Sequence, residues 1–402
     1  MSGSPVTGQV DAGAGKEDEV GAREDLRKLA VEIGPRGAGT EAEQAAADFI
    51  KGRFEQRGLE VSVDEFSTIS TYSYLYIVYL GLAILSAWLS FWFVLVVAPI
   101  AVLNAVLFAF DLETYPLISK VLPHVASRNV IGEQADESGK VGLVVVAHYD
   151  SSRAALSFHP RLVSGFRNTF TLMIGCIFGV AALATANFVV RLATGNTSFW
   201  VWIATVAASV YLFVPLAIMI HREAAMQHTP GANDNGSGVV TMLALMDKMT
   251  DPESPARGAM FVATGAEEVG TAGMMAFLRS HGEEVRDAFI VNLDNLGAGH
   301  LYYIDCEGML LGHPSDPALL WLADKVVEKK GLPLERRGYR LLSTDGTPAL
   351  ARGYRAMSVM AFDDEGMLPN WHWETDTADN VDMSNIENAR AFLWNLAKRI
   401  DP

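Results

Sequence analysis

The sequence predicts an α/β fold in which a mixed sheet is covered by helices on both faces and interrupted by membrane-spanning helices. Three observations support this prediction. Residues 141–150 read VGLVVVAHYD, a short apolar run typical of a strand buried on both faces. Strand and helix patterns alternate over residues 236–400. Two further blocks, residues 72–110 and 168–220, are too long and too apolar for the core of a soluble domain.

Composition narrows the classes of function. The formal net charge is −16, which argues against nucleic acid as a partner, because phosphate binding needs clustered lysine and arginine side chains. The two cysteines, Cys176 and Cys306, do not make the disulfide framework of a small secreted domain. Residues 1–21 are rich in glycine and acidic side chains, so we expect a disordered tail there.

The two apolar blocks predict a membrane protein. Residues 72–110 carry no charged side chain, and one crossing needs only about 20 residues, so this block has room for two helices. A polar loop at residues 191–198 divides the second block, residues 168–220, into two further helices. We therefore predict four transmembrane helices in two hairpins, with the lipid bilayer as a partner. Pro99 leaves a partly re-entrant first pair open, and a set of buried core helices is the alternative.

The remaining segments, residues 22–71, 111–167 and 221–402, are predicted to form one domain. Because they must join a single sheet, each inserted block is expected to cross the membrane an even number of times. Basic residues are frequent where the blocks meet the domain, whereas the far loop contains only Arg191. The positive-inside rule then predicts a multi-pass integral membrane protein with this domain on the cytoplasmic side.

Candidate metal ligands stand where strands end. His148 and Asp150 follow the buried strand, and because side chains alternate along an extended backbone, the carboxylate can reach the ring, as in many metal sites. Later segments carry similar residues, namely GANDNGSG with Asp234, ATGAEEVG with Glu267 and Glu268, VNLDNLG with Asp294, and NWHWETDTADN with His372. Each alone has an ordinary explanation as a turn, a helix start or a surface residue. Together they suit Zn²⁺, with Mn²⁺ or Co²⁺ as substitutes.

The order of these motifs resembles that of a known family. HYD, GANDNGSG, AEEVG, NLDNLG and a late histidine followed by TDTADNVD are similar to the motifs of the M28 zinc peptidases, the co-catalytic aminopeptidases of the zinc-exopeptidase fold. The resemblance extends to GTEAEQAAADFI near the amino terminus and covers everything except the tail and the membrane blocks. It implies a phosphorylase/hydrolase-like α/β/α sandwich and peptide substrates. The membrane insertions depart from the soluble members.

The resemblance implies two zinc ions with one shared ligand. It assigns His148 and Asp294 to one ion, Glu268 and His372 to the other, and Asp234 to a bridging position. Three ligand carboxylates against two dications leave one positive charge, which favours a bound hydroxide near neutral pH. The resemblance also implies catalytic residues outside this ligand set.

Two catalytic residues are implied in this way. Asp150 would orient the ring of His148, and Glu267, which is adjacent to a ligand without being one, would act as the general base. A carboxylate in that position can take the proton of the attacking water and pass it to the leaving amine.

Substrate-binding candidates rest on position alone. Asp345 in STDGTP and the tryptophans Trp371 and Trp373 beside His372 are candidates for the wall of a substrate pocket. A turn residue for Asp345 and ordinary packing for the tryptophans are the alternatives. Asp376 follows the late histidine and would either orient its ring or cap a turn.

The function expected from these features is that of a membrane-anchored di-zinc metallopeptidase, with aminopeptidase activity as the leading hypothesis. Glutaminyl-cyclase-like activity with one zinc, carboxypeptidase activity and a catalytically inactive membrane scaffold are the alternatives. Because the second apolar block begins shortly after Asp150, the metal site is expected to lie near the membrane surface. Hydrophobic peptides that approach along the bilayer are therefore the expected substrates.

Overall fold

A nine-stranded mixed sheet lies at the centre of the computed structural model, which describes residues 14–134, 140–256 and 258–400. The strands are β1 (Glu60–Ile69), β2 (His124–Gln134), β3 (Leu143–His148), β4 (Ala259–Thr264), β5 (Phe289–Leu293), β6 (His300–Glu307), β7 (His313–Pro314), β8 (Leu334–Gly338) and β9 (Arg355–Phe362). Their spatial order is β1-β2-β4-β3-β5-β9-β6-β7, and β8 pairs with β6. Strands β4, β3, β5 and β9 run parallel, so their carboxyl ends meet at one edge.

Helices cover both faces of this sheet, which confirms the predicted mixed α/β architecture. They are α1 (Ala14–Arg27), α2 (Glu41–Gln56), α3 (Tyr72–Leu112), α4 (Phe166–Thr194), α5 (Phe199–Val210), α6 (Phe213–Ala225), α7 (Ser237–Met249), α8 (Ala272–His281), α9 (Pro317–Lys330), α10 (Gly346–Ala351) and α11 (Met383–Ala397). The tail predicted over residues 1–21 lies outside the described residues up to residue 13. Residues Ala14–Arg27 form helix α1, so the last part of the predicted tail is helical.

The central strand β3 is buried on both faces, as its apolar sequence predicts. Val145 packs into one core with Leu243 of α7 and Phe392 of α11. Val144 and Val146 pack into a second core on the opposite face, together with side chains of α8 and α10. All three valines are fully buried. Because every side chain of β3 up to Ala147 is held by packing, the position of His148 at its end is fixed.

Strands β1 and β2 form an antiparallel pair although α3 is inserted between them. Their register runs from Glu60 opposite Glu133 to Ile69 opposite His124. The chain therefore leaves the sheet at Ile69 and returns beside it at His124.

The prediction of four transmembrane helices is corrected by the structure. Among the described residues, three helices are long and apolar enough to cross a membrane, namely Tyr72–Leu112, Val163–Thr194 and Phe199–Ala225. The difference lies in the first block, where no polar turn interrupts the apolar sequence and one helix runs through. Its backbone departs from helical geometry at Phe93, and Pro99 lies inside it.

Helix α3 nevertheless folds back on itself at this kink. The Asn104 side-chain amide donates a hydrogen bond of 3.1 Å to the carbonyl of Tyr79, and the rings of Tyr79 and Phe108 lie 5.1 Å apart. In a straight helix, residues 25 positions apart would be separated by about 37 Å. Each arm has about 20 residues, which is about 30 Å of helix. The first and last turns of α3 therefore lie next to each other, at the end of the helix pair that adjoins the domain.

The outer surfaces of these helices expose large apolar side chains. Trp92 of α3 is 65% exposed, and Trp200 of α5 is 78% exposed. Leu85, Val96, Leu103 and many others share this exposure. Contiguous apolar surfaces of this extent are typical of contact with a membrane or another protein.

A buried arginine ties together the segments that lead into the sheet edge. The guanidinium of Arg36 is fully buried and donates hydrogen bonds of 2.7 to 3.0 Å to five main-chain carbonyls, those of Leu29, Gly34, Tyr149, Pro230 and Gly231. Burial lowers the pKa of Arg36 to about 10, so the group stays protonated at neutral pH. Because Tyr149 and Gly231 come just before Asp150 and Asp234, the arginine fixes both of these turns.

Replacing Arg36 with methionine is expected to lower the free energy of unfolding by about 3 kcal/mol, because several buried carbonyls lose their donor at once. Arg23→Met is the matched control, since Arg23 is exposed and, among the described residues, forms an ion pair with Glu19 alone; its effect should stay within about 0.5 kcal/mol. Chemical denaturation in mild detergent measures both. Equal effects of the two substitutions would contradict the structural role of Arg36.

Candidate metal centre

The five predicted metal ligands meet at the carboxyl edge of the parallel strands. His148 is the last residue of β3, whereas Glu268, Asp294 and His372 lie in the segments that follow β4, β5 and β9. Asp234 comes from the turn between α6 and α7. Since β3 lies between β4 and β5 in the sheet, these segments converge on its end.

One group of three ligands forms around His148. Its Nε2 atom lies 3.3 Å from Oδ1 of Asp234 and 3.8 Å from Oδ1 of Asp294. All three side chains are buried. One ligand atom from each residue lies within 4.8 Å of the others, so these atoms can surround a single cation.

A second group of three forms around His372. Its Nε2 atom lies 3.2 Å from Oδ2 of Asp234 and 3.1 Å from Oε2 of Glu268. These residues are also buried and also lie within 4.8 Å of one another by their ligand atoms. Asp234 therefore belongs to both groups, with one carboxylate oxygen facing each histidine.

The residues of both groups fit zinc ions. Imidazole nitrogens and carboxylate oxygens are zinc ligands, and two such groups sharing one carboxylate match a pair of adjacent ions. Oε1 of Glu268 is buried without a hydrogen-bond partner among the described residues. A buried carboxylate oxygen in that condition is costly unless a cation or a donor lies beside it.

Asp150 supports both groups. Its two carboxylate oxygens accept the main-chain N–H of Glu267 at 3.0 Å and of Glu268 at 3.1 Å. Its Oδ1 atom also lies 3.4 Å from Nδ1 of His148. The sequence predicts only the contact with the histidine, because the residues after β4 are far from Asp150 along the chain.

Asp376 holds the turn that carries Asp234. Its carboxylate accepts the N–H of Asn233 at 2.5 Å and the N–H of Asp234 at 3.1 Å. Burial raises the pKa of Asp376 to about 7. The sequence around His372 suggests that Asp376 positions a neighbouring group. It does not show that this group is the main chain at Asn233 and Asp234.

Glu43 is a supporting residue that sequence reasoning missed. It is 1% exposed, and its carboxylate accepts the N–H of Ala266 at 3.1 Å and the hydroxyl of Ser127 at 2.6 Å. Burial, together with the charge of Asp150, raises the pKa of Glu43 to about 7. Because Ala266 directly precedes Glu267 and has a positive φ of 52°, Glu43 stabilises an unfavourable backbone conformation beside the site. The position of Glu43 in the first turn of α2 gives no sign of this contact.

The histidines and carboxylates strongly perturb one another. Burial alone would lower the pKa of His148, but the neighbouring carboxylates, Glu267 first, raise it well above its usual value. Burial would raise the pKa of Asp234, but its hydrogen bonds with His148 and His372 hold it below its usual range. Burial and nearby acidic groups raise the pKa of Glu267. Such opposed shifts are typical of active sites.

Glu267 lies beside the first group and close to the second. Its Oε2 atom is 4.0 Å from Nε2 of His148, and the side chain is 10% exposed. It belongs to neither group of three ligands. The position is therefore that of an acidic side chain next to the ligand set, with some access to the adjoining cavity.

A cavity of about 400 Å³ opens beside these residues. Its polar end is lined by Asp234, Glu267, Glu268, Asp294 and His372. The remainder is lined mostly by aromatic and aliphatic side chains of α3, α4 and α6. A largely apolar pocket with a few convergent polar groups is the usual form of a ligand site.

The three predicted substrate-binding residues differ in their placement. Trp371 lines the cavity and packs against the ring of His372 at 5.2 Å. Asp345 is buried behind the site, where it accepts a hydrogen bond from Thr264 and is not part of the cavity lining. Trp373 also lies outside the lining and packs against the ring of His159.

Comparison with known proteins agrees with this fold. Residues 216–397 match the model of peptidase family M28. No curated protein matches the sequence. The glutaminyl cyclase of Bacteroides thetaiotaomicron bound to N-acetylhistamine is 16% identical with a TM-score of 0.57, over 95% of this chain and 98% of that chain.

Two further solved structures are similar. A Zn-dependent exopeptidase from Parabacteroides distasonis is 13% identical with a TM-score of 0.56, over 95% of this chain and 98% of that chain. A zinc aminopeptidase from Bacillus subtilis is 16% identical with a TM-score of 0.56, over 94% of each chain. At these identities the likeness establishes the fold, which is the predicted zinc-exopeptidase fold. The family match over residues 216–397 and the shared fold both support an M28 zinc peptidase.

Proposed function

We propose that the chain is an M28 zinc peptidase and, more specifically, a membrane-anchored aminopeptidase that uses two metal ions. The observation that carries the proposal is the placement of Asp234, whose two carboxylate oxygens face two separate histidines at 3.3 and 3.2 Å. A bridging carboxylate between two complete ligand groups is the arrangement that a pair of co-catalytic ions requires. Each group also contains a carboxylate of its own, from Asp294 or Glu268.

The residues of the chain divide the catalytic work between them. When bound, two zinc ions polarise a scissile carbonyl and lower the pKa of water. Glu267 takes the proton of the attacking water and returns it to the nitrogen of the leaving amine. Asp150 holds the main chain of Glu267 and the ring of His148 in fixed positions. The carboxylate of Glu267 therefore stays close to the reacting atoms.

Glutaminyl cyclase activity is the second candidate, since cyclases are among the proteins with a similar fold. A cyclase of this fold is expected to hold one ion. In this chain His148 and Asp294 complete a second group, which favours the peptidase.

We propose that α3, α4, α5 and α6 anchor the domain in a membrane. Three helices of sufficient length and hydropathy and their exposed tryptophans support this proposal. The bend of α3 at Phe93 returns the chain to the side from which it started. The frequency of basic residues at the domain side supports a cytoplasmic domain.

The metal content of the purified protein is expected to be two zinc equivalents, measured by elemental analysis after dialysis. His148→Ala should reduce it to about one equivalent because it removes a ligand of only one group, and Asp234→Ala should reduce it further. His300→Ala is the control, since that histidine is exposed and pairs only with Asp364. One equivalent in the unmodified protein would favour the cyclase, and none would favour an inactive scaffold.

Glu267→Gln is expected to retain both zinc equivalents while lowering kcat for aminoacyl amides by about 100-fold or more, because the variant keeps the shape of the side chain but cannot accept a proton. Glu335→Gln, at an exposed position of β8, is the matched control and should leave kcat unchanged. Steady-state assays with and without a chelator measure both. If the variant keeps activity within tenfold of the unmodified protein, Glu267 is not the base.

Membrane anchoring predicts that the protein stays in the pellet after alkaline carbonate extraction and is released only by detergent. For sidedness, Asn196→Cys places a thiol in the far loop, which a membrane-impermeant maleimide should label in intact cells. Glu335→Cys on the domain should remain unlabelled until the cells are lysed. Release by carbonate would refute the anchor, and the reverse labelling pattern would refute a cytoplasmic domain.

A further inference from the structure

The cavity does not end at the metal ligands. It continues from His372 between the membrane-type helices and reaches Tyr79 and Phe108 in the two arms of α3. One side of this extension is made by five aromatic side chains, which we name the aromatic wall: Phe158, Phe166, Phe170, Tyr76 and Phe108. All five line the same cavity as the candidate metal ligands, so a ligand that extends from those residues can contact the wall.

The aromatic wall starts at a metal ligand. The ring of Phe158 lies 4.5 Å from the ring of His372, and its other neighbour Phe166 lies 4.9 Å away in a stacked arrangement. Phe166 in turn stacks on Phe170 at 5.5 Å. These separations are those of favourable aromatic pairs, so the rings stabilise one another's positions.

The wall then passes from α4 to α3. Phe170 and Tyr76 lie 6.4 Å apart, and Tyr76 meets Phe108 edge to face at 5.9 Å. Phe108 belongs to the returning arm of α3 and is 1% exposed. A continuous series of rings therefore connects the site where a peptide bond would be cleaved with the interior of the helical bundle.

The rest of the cavity lining in this region also contains apolar side chains, namely Met173, Val214, Pro215, Ile218 and Met219. Among the polar lining groups, the hydroxyl of Tyr79 donates a hydrogen bond to Oδ2 of Asp111, whereas Oδ1 of Asp111 has no partner among the described residues. Aromatic and aliphatic side chains nevertheless make up most of this part of the lining.

We propose that the apolar part of the substrate lies along the aromatic wall, so that the membrane helices form a specificity site for peptides with bulky apolar residues next to the scissile bond. This inference rests on the proposed peptidase function and adds its substrate class. A cavity of about 400 Å³ accommodates more than one side chain. Each methylene group that becomes buried there should improve kcat/KM up to about fourfold.

Two substrate series test the inference with detergent-purified, zinc-loaded protein. One series varies the amino-terminal residue of an aminoacyl p-nitroanilide from alanine to leucine to phenylalanine. The other varies the leaving amine of leucyl amides from ethylamine to octylamine. In at least one series, kcat/KM should rise at least tenfold from the smallest to the largest member.

Phe170→Ala should lower the ratio of kcat/KM for the largest to the smallest substrate by at least tenfold, because it opens a gap in the wall. Leu172→Ala is the matched control on the same helix, since Leu172 is 51% exposed on the outer surface, and it should leave that ratio unchanged. If Phe170→Ala fails to fold, as judged by thermal unfolding and zinc content, Met173→Trp narrows the same cavity and should lower the ratio as well.

A binding measurement separates recognition from turnover. Calorimetric titration of zinc-loaded Glu267→Gln with leucyl octylamide and leucyl ethylamide should show tighter binding of the octylamide, and adding Phe170→Ala should remove the difference. Failure of the unmodified protein to cleave any member of either series refutes the peptidase itself. Cleavage without size dependence, or a ratio that Phe170→Ala leaves intact, refutes only the role of the aromatic wall.

Discussion

The carboxylate of Asp234 is the interaction on which the site depends. Its two oxygens face the two histidines, so a displacement of this one side chain disturbs both ligand groups at once. The turn that carries it is correspondingly well supported. Asp376 accepts hydrogen bonds from two main-chain N–H groups of this turn. Arg36 donates hydrogen bonds to the carbonyls of Pro230 and Gly231, just before the turn. Buried charged groups that bind main-chain atoms leave little freedom to the turn, which is what a bridging ligand needs.

The sheet explains why distant residues meet. Parallel strands present their carboxyl ends at one edge, and each of the four central strands here is followed by a ligand or a catalytic candidate. This could be predicted from the sequence, because apolar runs that end in histidine or acidic residues are visible in it. The short strands β7 and β8 were not predicted, since neither His313–Pro314 nor Leu334–Gly338 has an apolar pattern of its own.

The supporting residues could not be predicted for a physical reason. Glu43 and Asp150 act through hydrogen bonds to the main chain of the segment at residues 266–268, more than 100 positions away in each case. Such contacts depend on how strands are ordered in space and leave no mark on local sequence patterns. The course of α3 is a comparable case, because hydropathy gives the length of an apolar block but not the place where its helix bends. The motif around His372, by contrast, does predict that this histidine is a candidate ligand, and the structure places it beside Asp234 and Glu268.

The pairing of Ile69 with His124 has an evolutionary consequence. These residues are direct neighbours across an antiparallel ladder, so an ancestral chain could have joined β1 to β2 by a short turn and acquired the whole of α3 later without a change of register. Helix α3 is not separate from the site, because its residues Tyr76 and Phe108 line the same cavity as the candidate metal ligands. An insertion of α3 at that turn would therefore also have supplied part of the pocket lining.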